Sequence, residues 1–394
     1  MSRAATERAG GPAPTDRPAS PFAEPGHPDT VQELETPAAL VDVDRMTENL
    51  RIAADYCRRQ QLGFRPHIKT HKTPELAAEQ LRAGASGLTV ATPREAEVMA
   101  GVADDILMAY PPVGKRKLDR IFGLPEHVRF TVALDSAEAL QSLGAAAREH
   151  GREVGVLVEA DVGMRRVGLG DPTAVVRLAR EATETPGVRY RGLMLYPGHI
   201  RMPVEDQAVP MRRLSERLQA HLARLDQAGL WPEIVSGGST PTFSRSHEVH
   251  GLTEVRPGTG IFNDRTTALL GACAWTDCAY SVLATVVSTA VAGQAVIDAG
   301  SKALAKEEVR ATFADPRLAA GYGCVLDRPE IQVSALSEEH GILDLGATDW
   351  RPRVGDLVRI VPNHVCVSVN LQDRLWQVRG DQVLGTWQVT ARGR

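Results

Sequence analysis

RPHIKTHK, residues 65–72, lies where a run of extended character gives way to a polar segment. Residues 64–69 combine an aromatic side chain, a proline and an isoleucine, a composition that favours a β-strand. Residues 70–74 are polar and end in Pro74, which suits the first turn of a helix. Lys69 is therefore predicted at the end of a strand, where a loop begins.

Lys69 has three basic neighbours in this stretch: His67, His71 and Lys72. A lysine close to other cations has its charged form disfavoured, which lowers its pKa and frees the amine to act as a nucleophile. The alternative is a solvated basic loop without chemistry. The stretch thus makes Lys69 a candidate nucleophile.

Strand-like and helical runs alternate around this stretch. Strands are predicted at 38–44, 64–69, 87–92, 105–110, 129–135, 154–161, 190–197, 233–238 and 253–257. Helices are predicted at 46–57, 74–83, 93–100, 115–122, 136–150, 172–184 and 203–228. Such alternation calls for a parallel sheet, and eight strands after the first predict a closed (β/α)8 barrel of the TIM type. The alternative is an open doubly wound sheet, but no GxGxxG motif follows an early strand.

The pattern changes after about residue 267, where strand-like runs are separated by Gly and Pro turns and helical periodicity is weak. This part predicts a mostly antiparallel β domain. We therefore expect a disordered leader at 1–30, a barrel at 31–267 whose first strand could join the β domain, and the C-terminal β domain at 268–394.

The composition excludes several classes of protein. The 394 residues carry a net charge of −4, whereas nucleic-acid-binding domains usually carry a basic excess. The longest apolar stretch is interrupted by polar residues, so no membrane span is predicted. The five cysteines form no CxxC pair, and the N-terminus has no signal-peptide core, which together predict a cytoplasmic protein.

A barrel places its chemistry at the C-terminal ends of its strands. The residues predicted there are Lys69, Thr92, Tyr110, Asp135, Asp161, Arg165, Arg166, Tyr196, His199, Gly237, Gly238, Ser239, Thr240, Arg256, Gly258 and Thr259. Glycines and hydroxyls at a late strand end suit a phosphate group, and a lysine on the same rim suits pyridoxal 5'-phosphate. The alternatives are a simple tight turn, packing roles for Tyr196 and His199, and a structural ion pair between Asp161 and Arg166.

Several of these stretches resemble the D-threonine aldolase and D-serine dehydratase family of fold type III, or alanine racemase-type, pyridoxal phosphate enzymes. The matching stretches are RPHIKTHK (65–72), DVGMRRVG (161–168), YPGH (196–199), SGGSTPT (236–242), RPGT (256–259), LSEEHG (336–341) and PNHVC (362–366). The resemblance implies that Lys69 is catalytic and holds the cofactor. One departure is Gly260, where the family resemblance leads us to expect a tyrosine, so the pocket near the phosphate is expected to be more open.

The resemblance also implies roles for the other cofactor-binding residues. Arg166 matches the arginine that contacts the phenolic oxygen, and the stretch from Tyr196 to His199 matches a cofactor-lining segment. The phosphate-binding turns match two groups of residues: Gly238, Ser239 and Thr240, and Arg256, Gly258 and Thr259. Either Arg256 or Tyr196 is expected to face the pyridine nitrogen.

His364 and Cys366 form a candidate metal site. Residues two apart in an extended segment point to the same face, and imidazole with thiolate suits Zn2+. The alternative is that both are packing residues. The family resemblance implies a divalent metal at the substrate's β-hydroxyl, and the His–Cys pair resembles the dehydratase branch.

The resemblance therefore implies a homodimeric lyase for a small 3-hydroxy-D-amino acid, either a dehydratase or an aldolase. Two other classes remain open. A racemase would need a second base, for which Tyr280 and Tyr322 are available. A non-catalytic cofactor carrier would lack the second domain and the metal pair.

Overall fold

The structure, a computed structural model, describes residues 28–309, 311–313, 315–346 and 348–394. The predicted disordered leader at 1–30 lies almost entirely outside the described residues. The described chain forms a parallel sheet and a mostly antiparallel sheet. The first strand is β1 (Ala38–Asp42), and α1 (Val43–Arg59) follows it directly. The Asp42 carboxylate caps α1 by accepting the N–H groups of Asp44 and Arg45, which ends the predicted strand 38–44 two residues early.

Eight parallel strands form the barrel: β2 (Gly63–Phe64), β3 (Leu88–Val90), β4 (Asp105–Met108), β5 (Arg129–Leu134), β6 (Val154–Ala160), β7 (Val188–Leu195), β8 (Ile234–Gly237) and β9 (Glu254–Val255). Their order is β2-β9-β8-β7-β6-β5-β4-β3. A parallel bridge between His67 and Thr89 joins the two ends of this order and closes the sheet. The predicted (β/α)8 barrel is confirmed.

Helices cover the outside of the barrel: α2 (Pro74–Arg82), α3 (Pro93–Met99), α4 (Lys115–Phe122), α5 (Ala137–Glu149), α6 (Pro172–Glu184) and α7 (Ala208–Gln227). The short helix α8 (Arg265–Leu269) follows the last barrel strand and contacts the second domain, where Arg265 and Thr266 donate hydrogen bonds to Asn363. The apolar faces of α2 to α7 pack on the outer faces of the strands in one large core. The inner faces contribute a small layer of Leu107, Ala133, Leu157 and Met194, which fills the centre of the barrel. Polar side chains at the strand ends lie above this layer.

The second sheet contains β10 (Tyr280–Ser288), β11 (Gln294–Ile297), β12 (Gly323–Val325), β13 (Arg328–Leu336), β14 (Gly341–Asp344), β15 (Leu357–Pro362), β16 (Arg374–Arg379) and β17 (Gln382–Gln388). It also includes β1, which pairs antiparallel with β10 and parallel with β16. The remaining pairings are antiparallel, so the predicted mostly antiparallel domain is confirmed. Two short helices, α9 (Ser301–Leu304) and α10 (Val365–Asn370), complete it.

The segment around Lys69 corrects the predicted strand 64–69. Only Gly63–Phe64 is a strand, and Ile68–Thr70 is a 3-10 turn. The turn forms because the Nδ1 of His67 accepts the Lys69 N–H, and the Lys72 N–H bonds back to the Ile68 carbonyl. Within the described chain, no helix combines the length and apolar character that crossing a membrane requires.

Candidate active site

A cavity of about 640 Å³ opens at the C-terminal ends of the barrel strands and extends to α10 of the second domain. All residues to which a cofactor or metal role was given, except His199, line this cavity: Lys69, Arg166, Tyr196, Gly238, Ser239, Thr240, Arg256, Gly258, Thr259, His364 and Cys366. Of the other predicted strand-end residues, Tyr110 also lines it, whereas Thr92, Asp135, Asp161, Arg165 and Gly237 do not. The fold therefore brings together residues that lie almost 300 positions apart in the chain.

Lys69 projects from a turn that neighbouring groups fix tightly. His67 is half-buried and lies next to it, and burial, followed by the charges of Lys69 and Arg256, holds the pKa of His67 well below its usual value. Gly258 packs on the same turn. A Cβ at this position would lie 2.9 Å from the His67 carbonyl oxygen and from the Thr70 Oγ1, so only glycine allows this approach.

The predicted crowding of Lys69 by His71 and Lys72 is wrong. Lys72 has a positive φ of 55°, which turns its side chain toward Glu95, and the two form a buried ion pair at 2.6 Å. The His71 ring is buried and lies 3.2 Å from the Gln80 oxygen. Spacing along a predicted strand does not show that the Lys72 side chain turns away from Lys69 toward Glu95. The local positive charge around Lys69 was therefore predicted too high.

Two turns form the part of the wall predicted to bind phosphate. Gly238 has a φ of +83° and precedes a 3-10 helix over Thr240–Glu248, and Gly258 precedes a 3-10 turn over Thr259–Ile261. The first N–H groups of such turns have no acceptor within the turn. A Cβ on Gly260 would contact only the Thr240 Cγ2, at 3.6 Å, which agrees with the expected open space.

Arg166 and Tyr196 stack at the side of the cavity, with the guanidinium 5.0 Å from the ring centre. The loop that carries Arg166 is held by Asp161, which accepts the N–H groups of Gly163 and Arg165 at 2.9 and 3.0 Å. Burial raises the pKa of Asp161, but these backbone N–H groups outweigh burial and lower it. In the described chain Asp161 forms no ion pair with Arg166, so that structural alternative is not observed.

Arg256 and Glu159 lie at the floor of the cavity. Arg256 is buried and donates to the Ser236 Oγ at 2.7 Å and to the Leu195 carbonyl at 2.9 Å. Glu159 is only 3% exposed, and it was not predicted as a site residue because it lies inside the strand-like run 154–161. The one available signal was a charged residue within an otherwise apolar strand.

His364 and Cys366 line the side of the cavity that the second domain forms, but they do not lie on a strand as predicted. The strand β15 ends at Pro362, and His364 is the N-cap of α10, whose first turn contains Cys366. The Cys366 Sγ lies 3.2 Å from the Thr70 Oγ1. The start of a helix therefore directs both side chains into the cavity, and not the alternating side-chain directions of a strand.

Asp264 orients this pair and was also missed. Its Oδ2 lies 3.3 Å from the His364 Nδ1 and accepts the Val365 N–H at 3.1 Å, while its Oδ1 caps α8. In sequence Asp264 looks like a helix cap, which it also is. The described residues contain no cluster of three or more His, Cys, Asp or Glu side chains arranged around a metal position, so the pair supplies two donors.

The electrostatics of the pair favour a thiolate beside an imidazolium. Burial raises the pKa of the Cys366 thiol, but His364, Lys69 and the Thr70 hydroxyl outweigh burial and lower it to about 7. Burial likewise opposes the charged form of His364, but Cys366 and Asp264 hold the pKa of His364 well above its usual value.

His199 and the two candidate tyrosines lie outside the main cavity. His199 and Tyr322 line an adjoining cavity of about 690 Å³, which shares Arg201 with the main one. Tyr280 is fully buried and hydrogen-bonded to Ser368 at 2.8 Å, and burial raises its pKa. Tyr280 therefore cannot act as a base at the cavity.

Comparison with known proteins agrees with both halves of the fold. Residues 41–266 match the family described as alanine racemase, N-terminal domain, and residues 279–378 match the putative serine dehydratase domain. D-threonine aldolase of Arthrobacter is 31% identical over 382 residues, covering 95% of this chain and 96% of the relative.

D-threo-3-hydroxyaspartate dehydratase of Delftia is 34% identical over 377 residues, covering 91% of this chain and 98% of the relative. Its crystal structure superposes with a TM-score of 0.84 at 32% identity, over 93% of this chain and 100% of that chain. Two solved variants of a D-threo-3-hydroxyaspartate dehydratase replace a histidine and, two positions later, a cysteine by alanine, and the cysteine variant is in the metal-free form.

Alanine racemase of Streptomyces lavendulae shares only the fold. It superposes with a TM-score of 0.63 at 21% identity, over 84% of this chain and 88% of that chain. The two matched domains and the near full-length relatives decide the assignment. This chain belongs to the alanine racemase-type, fold type III family that contains D-threonine aldolase and D-threo-3-hydroxyaspartate dehydratase.

Proposed function

We propose that this protein is a lyase that uses pyridoxal 5'-phosphate and a divalent metal ion to act on 3-hydroxy-D-amino acids. The observation that carries the proposal is that a lysine amine and an imidazole–thiol pair face one cavity. Lys69 is close enough to contribute to lowering the pKa of Cys366. The relatives that match over nearly their full length are named as an aldolase and a dehydratase of such substrates.

The residues of the cavity fit the cofactor. Gly258 closes against the Lys69 turn, where a Cβ would collide, so a phosphate held by the backbone of the two turns would lie beside the lysine. Arg166 supplies a cation on the Tyr196 side. Bound there, the cofactor supplies an electron sink for the α-carbon of the substrate. Lys69 would hold the cofactor through its amine.

The donor set at His364 and Cys366 fits a metal ion. With Nδ1 of His364 next to Asp264, Nε2 remains for coordination, and the carboxylate fixes the orientation of the ring. A thiolate donor favours zinc over magnesium or calcium, which prefer oxygen ligands. Among solved variants of a D-threo-3-hydroxyaspartate dehydratase, the one that lacks a cysteine two positions after a substituted histidine is in the metal-free form, which supports this assignment.

Lys69 and the His364–Cys366 pair would then act on different parts of the substrate. The Lys69 amine would accept the α-proton in a dehydratase, with the β-hydroxyl leaving next to His364 and Cys366. In an aldolase the β-hydroxyl would lose its proton and the bond between Cα and Cβ would break. A metal ion on the His–Cys pair would act as a Lewis acid at that hydroxyl.

We also propose a homodimer in a reducing, cytoplasmic compartment. The family resemblance supports the dimer, and sedimentation of the purified protein tests it. All five cysteines are free thiols, which supports the reducing compartment. The racemase alternative gains no support from Tyr280, because that hydroxyl is buried and hydrogen-bonded to Ser368.

Product analysis on D-threonine, D-serine and 3-hydroxy-D-aspartate tests the function. We expect either a 2-oxo acid with ammonia, as from a dehydratase, or glycine with an aldehyde, as from an aldolase. Activity should fall with a chelator, and Lys69→Ala should abolish turnover.

Cys366→Ala should keep the bound cofactor yet lose roughly a thousandfold in rate, since removal of a Lewis acid costs several kcal/mol.

The control for Cys366→Ala is Cys324→Ala, a thiol buried in the second domain away from the cavity. Racemisation that survives the chelator, with no bond cleavage, would refute the lyase and support the racemase alternative. Cofactor binding without any turnover would support a carrier.

A further inference from the structure

Glu159 has no role in the proposed chemistry, yet it faces the cavity. It points to the same side of β6 as Leu157, which fills the centre of the barrel, so its carboxyl group lies one layer higher, at the cavity floor. Within the part of the chain that the structure describes, this carboxyl group accepts no hydrogen bond and forms no ion pair. A buried, unpartnered carboxylate is costly, so its presence calls for an explanation.

The other buried charges below the cavity are balanced. Arg65 pairs with Asp105 and Glu254, and Glu254 accepts a hydrogen bond from Ser236. Ser236 in turn accepts one from Arg256. Two acidic and two basic side chains therefore offset each other. Glu159 adds a charge that this network does not compensate.

Four charged groups face Glu159 from the surrounding elements. Burial raises the pKa of Glu159 to about 7, Arg256 and Arg166 oppose this shift, and Asp135 and Asp161 add to it. Arg256 follows β9, Arg166 lies in the loop after β6, and Asp135 follows β5. The carboxyl group can therefore change its charge near neutral pH.

We propose that Glu159, together with Arg256, is a positioning residue that sets the charge presented to the ring nitrogen of bound pyridoxal phosphate. This inference rests on the proposed function. Lys69 would engage the aldehyde carbon, the two turns the phosphate, and Arg166 the phenolic oxygen. The ring nitrogen is the polar atom that remains. Because Tyr196 stacks on Arg166 at the side of the cavity, Glu159 and Arg256 are the polar groups of the floor that remain for it.

The neighbouring histidine does not compete for that role. The Nδ1 of His67 accepts the Lys69 N–H, and its ring also bonds to the backbone of Thr89. An ionised Glu159 would add one negative charge to the floor and favour a protonated ring nitrogen. A protonated Glu159 would add no charge.

The test compares two ligands on the full chain after removal of its cofactor: pyridoxal phosphate and its 1-deaza analogue, in which CH replaces the ring nitrogen. Dissociation constants are measured at pH 8.5 for the parent, Glu159→Gln and Glu159→Asp. The quantity compared is the ratio of the two dissociation constants, pyridoxal phosphate over the analogue. We expect Glu159→Gln to raise this ratio about tenfold, the order expected for one charge a few ångströms away. Glu159→Asp, which keeps the charge, should change this ratio much less.

A second pH supplies the internal control. Because burial raises the pKa of Glu159 to about 7, we expect this carboxyl group to be protonated at pH 5.5, so the parent and Glu159→Gln should show nearly the same ratio of dissociation constants. If Glu159→Gln does not fold, Glu159→Met removes the same charge with a side chain of similar length and should give the same ratio. If Glu159→Gln weakens the binding of both ligands equally, or of neither, the inference is overturned and the proposed function is unaffected. Failure of the parent to bind pyridoxal phosphate would refute both.

Discussion

Cys366 shares its side of the cavity with groups that stabilise a thiolate. His364 contributes the most, while Lys69 and the Thr70 hydroxyl add to it, and together they overcome burial. Burial has the opposite effect on two other thiols: it raises the pKa of Cys57 to about 12, and it raises that of Cys324 to about 11 although the charge of Arg265 opposes the shift. The local charge, rather than burial, therefore makes Cys366 a suitable metal ligand near neutral pH.

The first prediction at this scale concerns the pH dependence of that thiol in metal-free protein. Alkylation of Cys366 should increase with pH around a midpoint of about 7, because the thiolate is the reactive form. His364→Ala removes the neighbouring positive charge and should move the midpoint upward, toward the ordinary thiol value of about 8.5 or above it. Iodoacetamide labelling with peptide mass spectrometry measures the midpoint.

Cys57 and Cys324 are the controls in the same samples, since they are buried, do not line the cavity and should label slowly in both proteins. An unchanged midpoint in His364→Ala would mean that the imidazole does not stabilise the thiolate. The assignment of the two side chains as a coupled pair would then fail.

Among the structural elements, two short turns decide the shape of the cofactor site. Gly258 packs on the Lys69 turn, whereas Gly260, two residues later, faces open space beside Thr240. Because the φ of Gly258 is −117°, its need for glycine comes from the lack of room and not from its backbone conformation. The two glycines therefore form a matched pair for substitution.

Gly258→Ala should destabilise the protein by about 1–3 kcal/mol, the usual cost of overpacking, and should weaken pyridoxal phosphate binding by displacing the Lys69 turn. Gly260→Ala should change the free energy of unfolding by less than about 0.5 kcal/mol. Urea unfolding and cofactor titration measure the two effects. Equal tolerance of both substitutions would show that the turns can separate and that their contact does not define the site.

The same elements show how far a sequence can be interpreted. The alternation of strand-like and helical runs predicted the barrel. The C-terminal ends of the predicted strands then gave the group of site residues that includes Lys69 and Arg256. Asp264 and Glu159 were not predicted, because one looks like a helix cap and the other lies within a buried strand. Their roles depend on which strand end or helix start lies opposite, and that information comes only from tertiary packing.

At the scale of the whole molecule, the two domains share one core. Met46 and Leu76 of the barrel half, with Phe262, pack together with Tyr280 and Val365 of the second domain. The strand β1 lies in the second sheet although it precedes the barrel. The cavity lies at this junction, since Lys69 comes from the barrel and Cys366 from the second domain. A site built in this way requires that the two halves remain docked.

The final prediction follows from this shared core. Unfolding should be one cooperative transition, because separating the halves would expose the common apolar cluster and leave β1 without partners. Far-UV circular dichroism reports mainly the barrel helices, and tryptophan fluorescence reports mainly the second domain, which holds Trp275, Trp350, Trp376 and Trp387. The two probes should give the same urea midpoint. Replacing the exposed Trp231 of the barrel by phenylalanine removes its signal and serves as the control. Two separate midpoints would show that the halves unfold independently, and the joint cavity would then be the first part of the molecule to be lost.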